Sequence, residues 1–349
     1  MNRPVPDLPG VLGAHRVRAA AAAIAAVQEP SGAVPWFAGG HVDAWDHVEC
    51  AMALLVGGQP EAAGRAYDWL FASQRADGSW PMATVAGGVT DPGADTNMCA
   101  YVAVGVWHHW LVCRDPGFVA EAWPVVRRAL DLVVAHQLPF GGIDWAIDRH
   151  GATFGTALVA GSSSIRHALV CGLSLAALVQ DPRPGWRTAL GRLDRALRER
   201  EDRFDPRPHH AMDWYYPVLA GVLRGRAGLD RIAGRWRDFV VPGLGVRCVD
   251  DRPWVTGAET CELAIALAGL GRRDDALRLL ADMQHLQDPD GSFWTGYVFA
   301  DGARWPEERS TWTAAAVVLA ADTLTRTTGG AEVFLGSADR VARLAAHPA

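Results

Sequence analysis

No apolar run in this 349-residue chain reaches the ~20 residues that a bilayer-spanning helix needs. The Ala-rich stretch 18–26 is too short and too poor in leucine for a secretory leader. It runs straight into a Gly turn, so it reads as part of the folded body. None of the cysteines Cys50, Cys99, Cys113, Cys171, Cys248 and Cys261 belongs to a CxxC, and most lie inside apolar helical patterns. Buried, reduced thiols in a cytoplasmic protein are expected, with neither a disulfide framework nor a metal site. The net charge of −6 comes without a Lys/Arg stripe, which argues against a nucleic-acid partner. Without a Ser/Gly-rich linker, charge block or low-complexity stretch, residues 1–349 are expected to form one domain. Phosphate-loop and dinucleotide fingerprints are absent, as is any Ser/His/Asp set with recognisable spacing, so no cofactor is expected. Strand signals are few.

What is present is a repeat. Gln74-Arg75-Ala76-Asp77-Gly78-Ser79-Trp80 returns as Gln287-Asp288-Pro289-Asp290-Gly291-Ser292-Phe293-Trp294, with weaker copies over 28–36 and 137–145. A helix-ending Gln, a Gly turn and a closing aromatic at intervals mark a repeat architecture. Two kinds of helix alternate between the turns. Amphipathic helices are expected over 11–27, 60–73, 118–136, 184–200, 227–239, 273–286 and 331–345. Helices apolar on every side are expected over 46–57, 96–112, 163–179, 213–224, 258–270 and 311–325, and these must be buried all round. Short Gly and Pro turns join each buried helix to the next amphipathic one, which makes antiparallel hairpins. About six such hairpins give an all-α, α/α toroid, an inner ring within an outer ring, in preference to an open superhelical solenoid. Segment 331–345 is expected to pack on the outer ring as a terminal helix.

In a toroid all inner helices start at the same end, where a pocket should form. Those starts are rich in polar and aromatic residues: Asp46 and His47; Asp95 and Asn97; Arg166; Asp213, Trp214, Tyr215 and Tyr216; Trp254, Glu259 and Thr260; Glu308 and Trp312. Ser, Thr, Asp and Asn before a helix are ordinary N-caps. Capping does not account for an Arg, a His or bulky rings at a helix N-terminus, so a charged, aromatic-walled pocket is expected. The fifteen tryptophans fit such walls, and also the closing of the hairpins. Acids gathered at a partly dry site push one pKa up and leave another ionised, which supplies a general acid and a general base together. Asp95, Asp213 and Glu259, each on a different helix start, are the expected catalytic carboxylates, with Arg166 orienting substrate.

Arg65–Gln74 with Gly78 and Trp80 resembles the QW repeat of terpenoid cyclases, whose toroid is shared with protein prenyltransferase β subunits. The chain also resembles bacterial proteins loosely labelled prenyltransferase. Gly93-Ala94-Asp95-Thr96-Asn97 is similar to the DxDTT form of the cyclase acid motif, keeping its central Asp95 and Thr96 but not its first Asp or last Thr. Glu259-Thr260-Cys261 imitates part of the prenyltransferase zinc site, but Thr311 and Trp312 stand where its His should be. A second resemblance, carried by Asp95-Thr96, Asp115–Phe118 and Trp123–Asp131, is to six-hairpin glycosidases of glucoamylase type, which use two carboxylates in a Trp-walled funnel. The first resemblance implies acid-initiated chemistry on an isoprenoid with Asp95 as proton donor. The second implies glycoside hydrolysis by paired carboxylates. A non-catalytic binding toroid is the third reading. The expected partner is a small molecule, isoprenoid or glycan; the sequence sets no oligomeric state.

Overall fold

In the computed structural model, residues 4–336 are described. Outer and inner helices alternate: α1 (Ala14–Val27) and α2 (Ala44–Val56); α3 (Pro60–Ser73) and the broken pair α4 (Thr96–Ala100) and α5 (Val102–Cys113); α6 (Pro116–Ala135) and α7 (Val159–Leu178); α8 (Pro184–Glu199) and α9 (Ala211–Leu219); α10 (Gly225–Phe239) and α11 (Gly257–Gly269); α12 (Arg273–Asp282) and α13 (Thr311–Thr325). The inner helices touch in the cyclic order α2, α5, α7, α9, α11, α13 and back to α2, so the ring is closed. This is the α/α toroid that the hydropathy pattern predicts, and not a solenoid. All thirteen residues of α2 are buried, as a helix with no polar face requires.

The repeated turns are staples between neighbouring outer helices. Gln74 Nε2 donates to Gly78 O and to Val125 O of α6, both at 3.0 Å. Gln28 makes the same pair of bonds to Gly32 O and Ala62 O of α3, and Gln137 to Gly141 O and Ala189 O of α8. At Gly78, φ is +97° and a Cβ would lie 2.4 Å from Arg128 O, so only glycine fits there. The fourth turn carries the device from the end of the chain to its start: Gly291 lies against Ala19 O, and Arg16 of α1 donates to Gln287. This turn joins the last outer helix to the first and closes the outer ring, with Gln287 acting only as an acceptor, since its Nε2 makes no hydrogen bond.

The all-α body carries a few small strands, and one expectation is corrected. Short strands decorate the mouth end, where the inner helices start: the hairpin β1 (Ala83–Val85) and β2 (Gly88–Asp91), the pair β3 (Ala94–Asp95) and β4 (Ala146–Ile147), and an antiparallel sheet of β5 (Val240–Val241), β6 (Gly245–Arg247), β7 (Trp254–Thr256), β8 (Gly296–Val298) and β9 (Ala303–Arg304). Two- and three-residue strands are too short to show alternation in a sequence. The start of the expected 331–345 helix is instead a 3-10 turn, Gly329–Val333, which packs under α5 and α13 of the inner ring. Thr328 caps it, Asp322 holds Thr328, and Gly329 sits against Leu111 O. Residues 337–345 lie outside the described residues.

Candidate active site

The start of α2 is fixed by Asp43, whose Oδ1 accepts the N–H groups of Trp45 and Asp46, both at 2.9 Å. This cap fixes the first turn of α2, which packs between α5 and α13 in the inner ring. Asp46 and Glu49, three residues apart, then share a helix face, and Glu259 and Glu262 do the same on α11. All four are buried. Tyr101, at the break between α4 and α5, donates to Glu49 Oε1 at 2.7 Å. Tyr216 of α9 donates to Glu262 Oε1 at 3.0 Å, and Tyr215 donates to Oε2 of the same carboxylate. The Trp45 ring lies 5.6 Å from Tyr101, 6.5 Å from Tyr216 and 5.5 Å from Trp312, so aromatic faces from four inner-ring elements surround these acids.

Crowding carboxylates in a dry aromatic cage penalises their charged forms. Burial, then the Asp43 charge, holds the Asp46 carboxyl well above the usual range, and Glu49 and Glu262 add to it. Burial pushes Glu49 up to about 7 against the opposing bond from Tyr101. Glu262 is also raised, first by burial and then by Glu49, while the two phenol O–H groups pull the other way. These acids therefore titrate as a group, and hydrogen bonding decides which keeps the negative charge. Asp46 Oδ1 accepts no hydrogen bond from the protein, and neither does Glu259 Oε2. His41, Asp43 and Asp46 bring one ligand atom each within 4.8 Å of one another, the one such group among the described residues. Asp43 Oδ1 is engaged by two backbone N–H groups, and its Oδ2 lies 3.7 Å from His41 Nε2.

The other expected residues fall into three groups. Asp95, Asn97, Asp213 and Tyr216 line one pocket of about 180 Å3 at the mouth, with Trp145, Arg207, His210 and Cys248. β3–β4 pairing puts Asp95 opposite Ala146, and Asp95 Oδ1 caps α4 through Asn97 and Met98 N–H. Burial nevertheless raises Asp95 to about 6. Asp213 Oδ1 accepts Ala160 N–H, and burial raises its pKa as well. At the rim, Trp254 donates to Trp305 O, and Glu308 accepts the Trp36 indole N–H at 2.6 Å, close to where Trp36 meets Trp312.

The third group does not face the mouth. His47 points between α2 and α3: Val34 N–H donates to its Nδ1, its Nε2 lies 2.8 Å from Ala66 O, and Trp69 packs on the ring. Burial lowers it to about 4, so it is a neutral packing residue. Arg166 pairs with Asp194 of α8 at 3.0 Å and bonds Ala220 O, tying three helices together rather than orienting a substrate. Trp214 stacks on Phe239 and donates to Arg231 O, on the α10 side. Thr260 donates to Thr256 O and accepts Val246 N–H, holding β6 on α11. These four residues are corrected from substrate contacts to structural ones. A larger cleft of about 600 Å3 lies between α1 and the segments 290–293 and 307–311; the four axial carboxylates line neither cleft, but Tyr216, which bonds Glu262, lines the mouth pocket.

Asp43, Glu49, Tyr101 and Glu262 were not among the site residues expected from the sequence, although Asp43 and Glu49 belong to the polar opening of the first inner helix. The signal was present: Glu49 interrupts VECAMALLV and Glu262 interrupts ELAIALAGL, and a charge inside a helix buried on all sides has only the axis to face.

This chain is 54% identical over 332 residues to the MMP endo-(1,4)-3-O-methyl-alpha-D-mannosidase of Mycolicibacterium hassiacum, a match spanning 95% of this chain and 92% of the relative. The chain belongs to that mannosidase's family. No protein-family model matches it. Among solved structures, a glycosidase variant in complex with glucose superposes with a TM-score of 0.73 at 18% identity, over 89% of this chain and 96% of that one. A D-mannose isomerase gives a TM-score of 0.67 at 10% identity, over 88% and 96%. At such identities these two show the shared fold alone. The isoprenoid reading, with its cyclase acid motif, is thereby overturned in favour of a glycoside-hydrolase family, and the physical reason is visible at the axis. Four carboxylates and three phenols suit a polyhydroxylated substrate, whereas a hydrocarbon would leave them desolvated and unpaired. The shared toroid and its repeated turn carried the cyclase resemblance, and neither bears on substrate. Among the described residues no helix is long and apolar enough to cross a membrane.

Proposed function

We propose that this protein hydrolyses internal α-1,4 bonds of a mannose chain bearing 3-O-methyl groups. The supporting observation is the pair of two-carboxylate faces on α2 and α11, set in an aromatic cage, in a chain 54% identical to an endo-mannosidase of that specificity. Asp46 is the general acid. Burial and Asp43 hold its carboxyl well above the ordinary aspartate range, as a proton donor needs, and its buried Oδ1 takes no hydrogen bond from the protein. Glu262 is the general base. Two phenol O–H groups orient its oxygens and oppose the upward push of burial and Glu49 on its pKa, a bias toward the ionised form that Asp46 lacks. As the bond breaks, Asp46 protonates the leaving oxygen and Glu262 takes a proton from the water attacking the anomeric carbon. Glu49 and Glu259 complete the electrostatic setting, and Asp95, Asn97 and Asp213 on the pocket wall accept or donate to sugar hydroxyls.

Asp46→Asn and Glu262→Gln should each lower kcat about 10²–10⁴-fold, with melting temperatures close to the parent. Proton NMR of the first product formed should show inversion at the anomeric centre. Retained configuration would rule out the role given to Glu262, and full activity in Asp46→Asn would rule out the acid.

A further inference from the structure

Five large apolar side chains are exposed among the described residues, and four of them stand at the mouth: Val85 and Val89 on the β1–β2 hairpin, Phe154 ahead of α7 and Trp305 ahead of α13. The fifth, Leu178, ends α7 at the opposite end of the toroid. Trp305 and Phe154 are each 52% exposed. Neither is a loose ring. Trp305 meets the Trp254 ring edge-on at 4.8 Å, its N–H donates to Gly296 O, and its carbonyl accepts the Trp254 indole N–H. Phe154 lies 5.0 Å from Trp145, and buried Asp144 accepts the N–H groups of Phe154 and Gly155, pinning that loop. Ring order gives their relative positions. Trp254 and Trp305 precede α11 and α13, whereas the β1–β2 hairpin and the Trp145–Phe154 pair precede α4 and α7, on the other side of the closed ring. The axial carboxylates lie between.

From this placement we infer that the two aromatic pairs, Trp254–Trp305 and Trp145–Phe154, are shelves that hold the methylated sugars of one substrate chain on both sides of the bond being cleaved. The inference rests on the glycan-chain reading above and adds to it the residues that read chain length and methylation. A sugar ring presents an apolar face of C–H groups, and an O-methyl group enlarges it. A rigid exposed aromatic ring matches such a face at little entropic cost. One shelf would serve an enzyme that trims chain ends, whereas shelves on opposite sides of the acids require the chain to lie across the mouth. The occupant is thus a 3-O-methylated α-1,4-mannan chain, and Trp145 of one shelf lines the same mouth pocket as Tyr216, the partner of Glu262.

The test compares Trp305→Ala, Phe154→Ala and the double variant on short and long 3-O-methylated α-1,4-mannan oligosaccharides and on an unmethylated long one. Leu178→Ala is the control. The double variant should raise KM for the long methylated chain about tenfold, the scale of losing two aromatic faces, and leave its kcat unchanged. KM for the short and unmethylated substrates should move far less, and Leu178→Ala should change nothing. Equal KM for the long methylated chain in parent and double variant would overturn the shelves. Binding is read separately by calorimetry in an Asp46→Asn background. If the long chain binds there with a Trp305 and Phe154 dependence but the parent cleaves nothing, the shelves stand and the hydrolase reading fails. If binding ignores both rings, the shelves fail whatever the parent cleaves.

Discussion

At the scale of single residues, the site works through contrasts between acids that look alike in the sequence. Glu262 and Asp46 share a dry cage, and the difference between them is two phenol O–H groups. Tyr216→Phe removes one of these donors, which raises the Glu262 pKa. Because the base must be ionised, the acid limb of the kcat–pH profile should move to higher pH, and a profile unchanged on that side would sever Tyr216 from the base. Asp95 offers a stability counterpart. Its folded pKa, about 6, exceeds that of a free aspartate, so its contribution is fully present below the unfolded value, near 4, and is lost as pH rises through about 6. Asp95→Asn keeps a good helix cap and has no proton to lose. Its melting temperature should exceed the parent's at about pH 8 and converge on it near pH 4. A gap independent of pH would mean that Asp95 is not the group being relieved. Charge type also counts here. The chain contains no lysine, so every cation that braces a repeat turn is an arginine fork. Arg128, for example, reaches Gln74 Oε1 through both Nε, at 2.9 Å, and Nη2.

At the scale of elements, the legible and illegible parts of the sequence separate by length. Helices of ten to twenty residues announce themselves by period, and α3 and α13 span the ranges their periodicity predicts. Strands β3 and β4, two residues each, have no period to read, yet they place Asp95 at the mouth. The expected catalytic acids were drawn from first turns, where polar residues are conspicuous. The deeper Glu49 and Glu262 are hidden in apolar text that looks like pure core. His47 and Arg166 erred the other way, since polarity at a helix start says nothing about which side of the helix it faces. The repeat turn was visible as a pattern, but its work as a staple needed the neighbouring helix. Two glycines test that work. Gly78→Ala forces a Cβ onto Arg128 O at φ +97° and should cost several kcal/mol. Gly64→Ala, in the exposed interior of α3 with nothing within 4 Å, should stabilise by about 0.5–1 kcal/mol. Chemical denaturation of both variants reads the contrast, and similar effects would deny the staple its role.

At the scale of the whole molecule, the two ends of the ring differ. Six helix starts, three small sheets and the exposed aromatic rings crowd the mouth. The other end is shut. The turn Gly329–Val333 lies under α5 and α13, Val333 O meets His167 Nε2 of α7 at 3.0 Å, Phe334 packs on that His167, and Arg224 reaches Phe334 O from the α9–α10 corner. A polymer cannot thread a cavity with a sealed floor. It must settle across one opening, be cut there, and leave both halves by the way they came. Nothing encircles the chain between cuts, so each encounter should yield one cleavage before release. Early in digestion the products should spread over many intermediate sizes, with no ladder of a single short fragment beside untouched polymer.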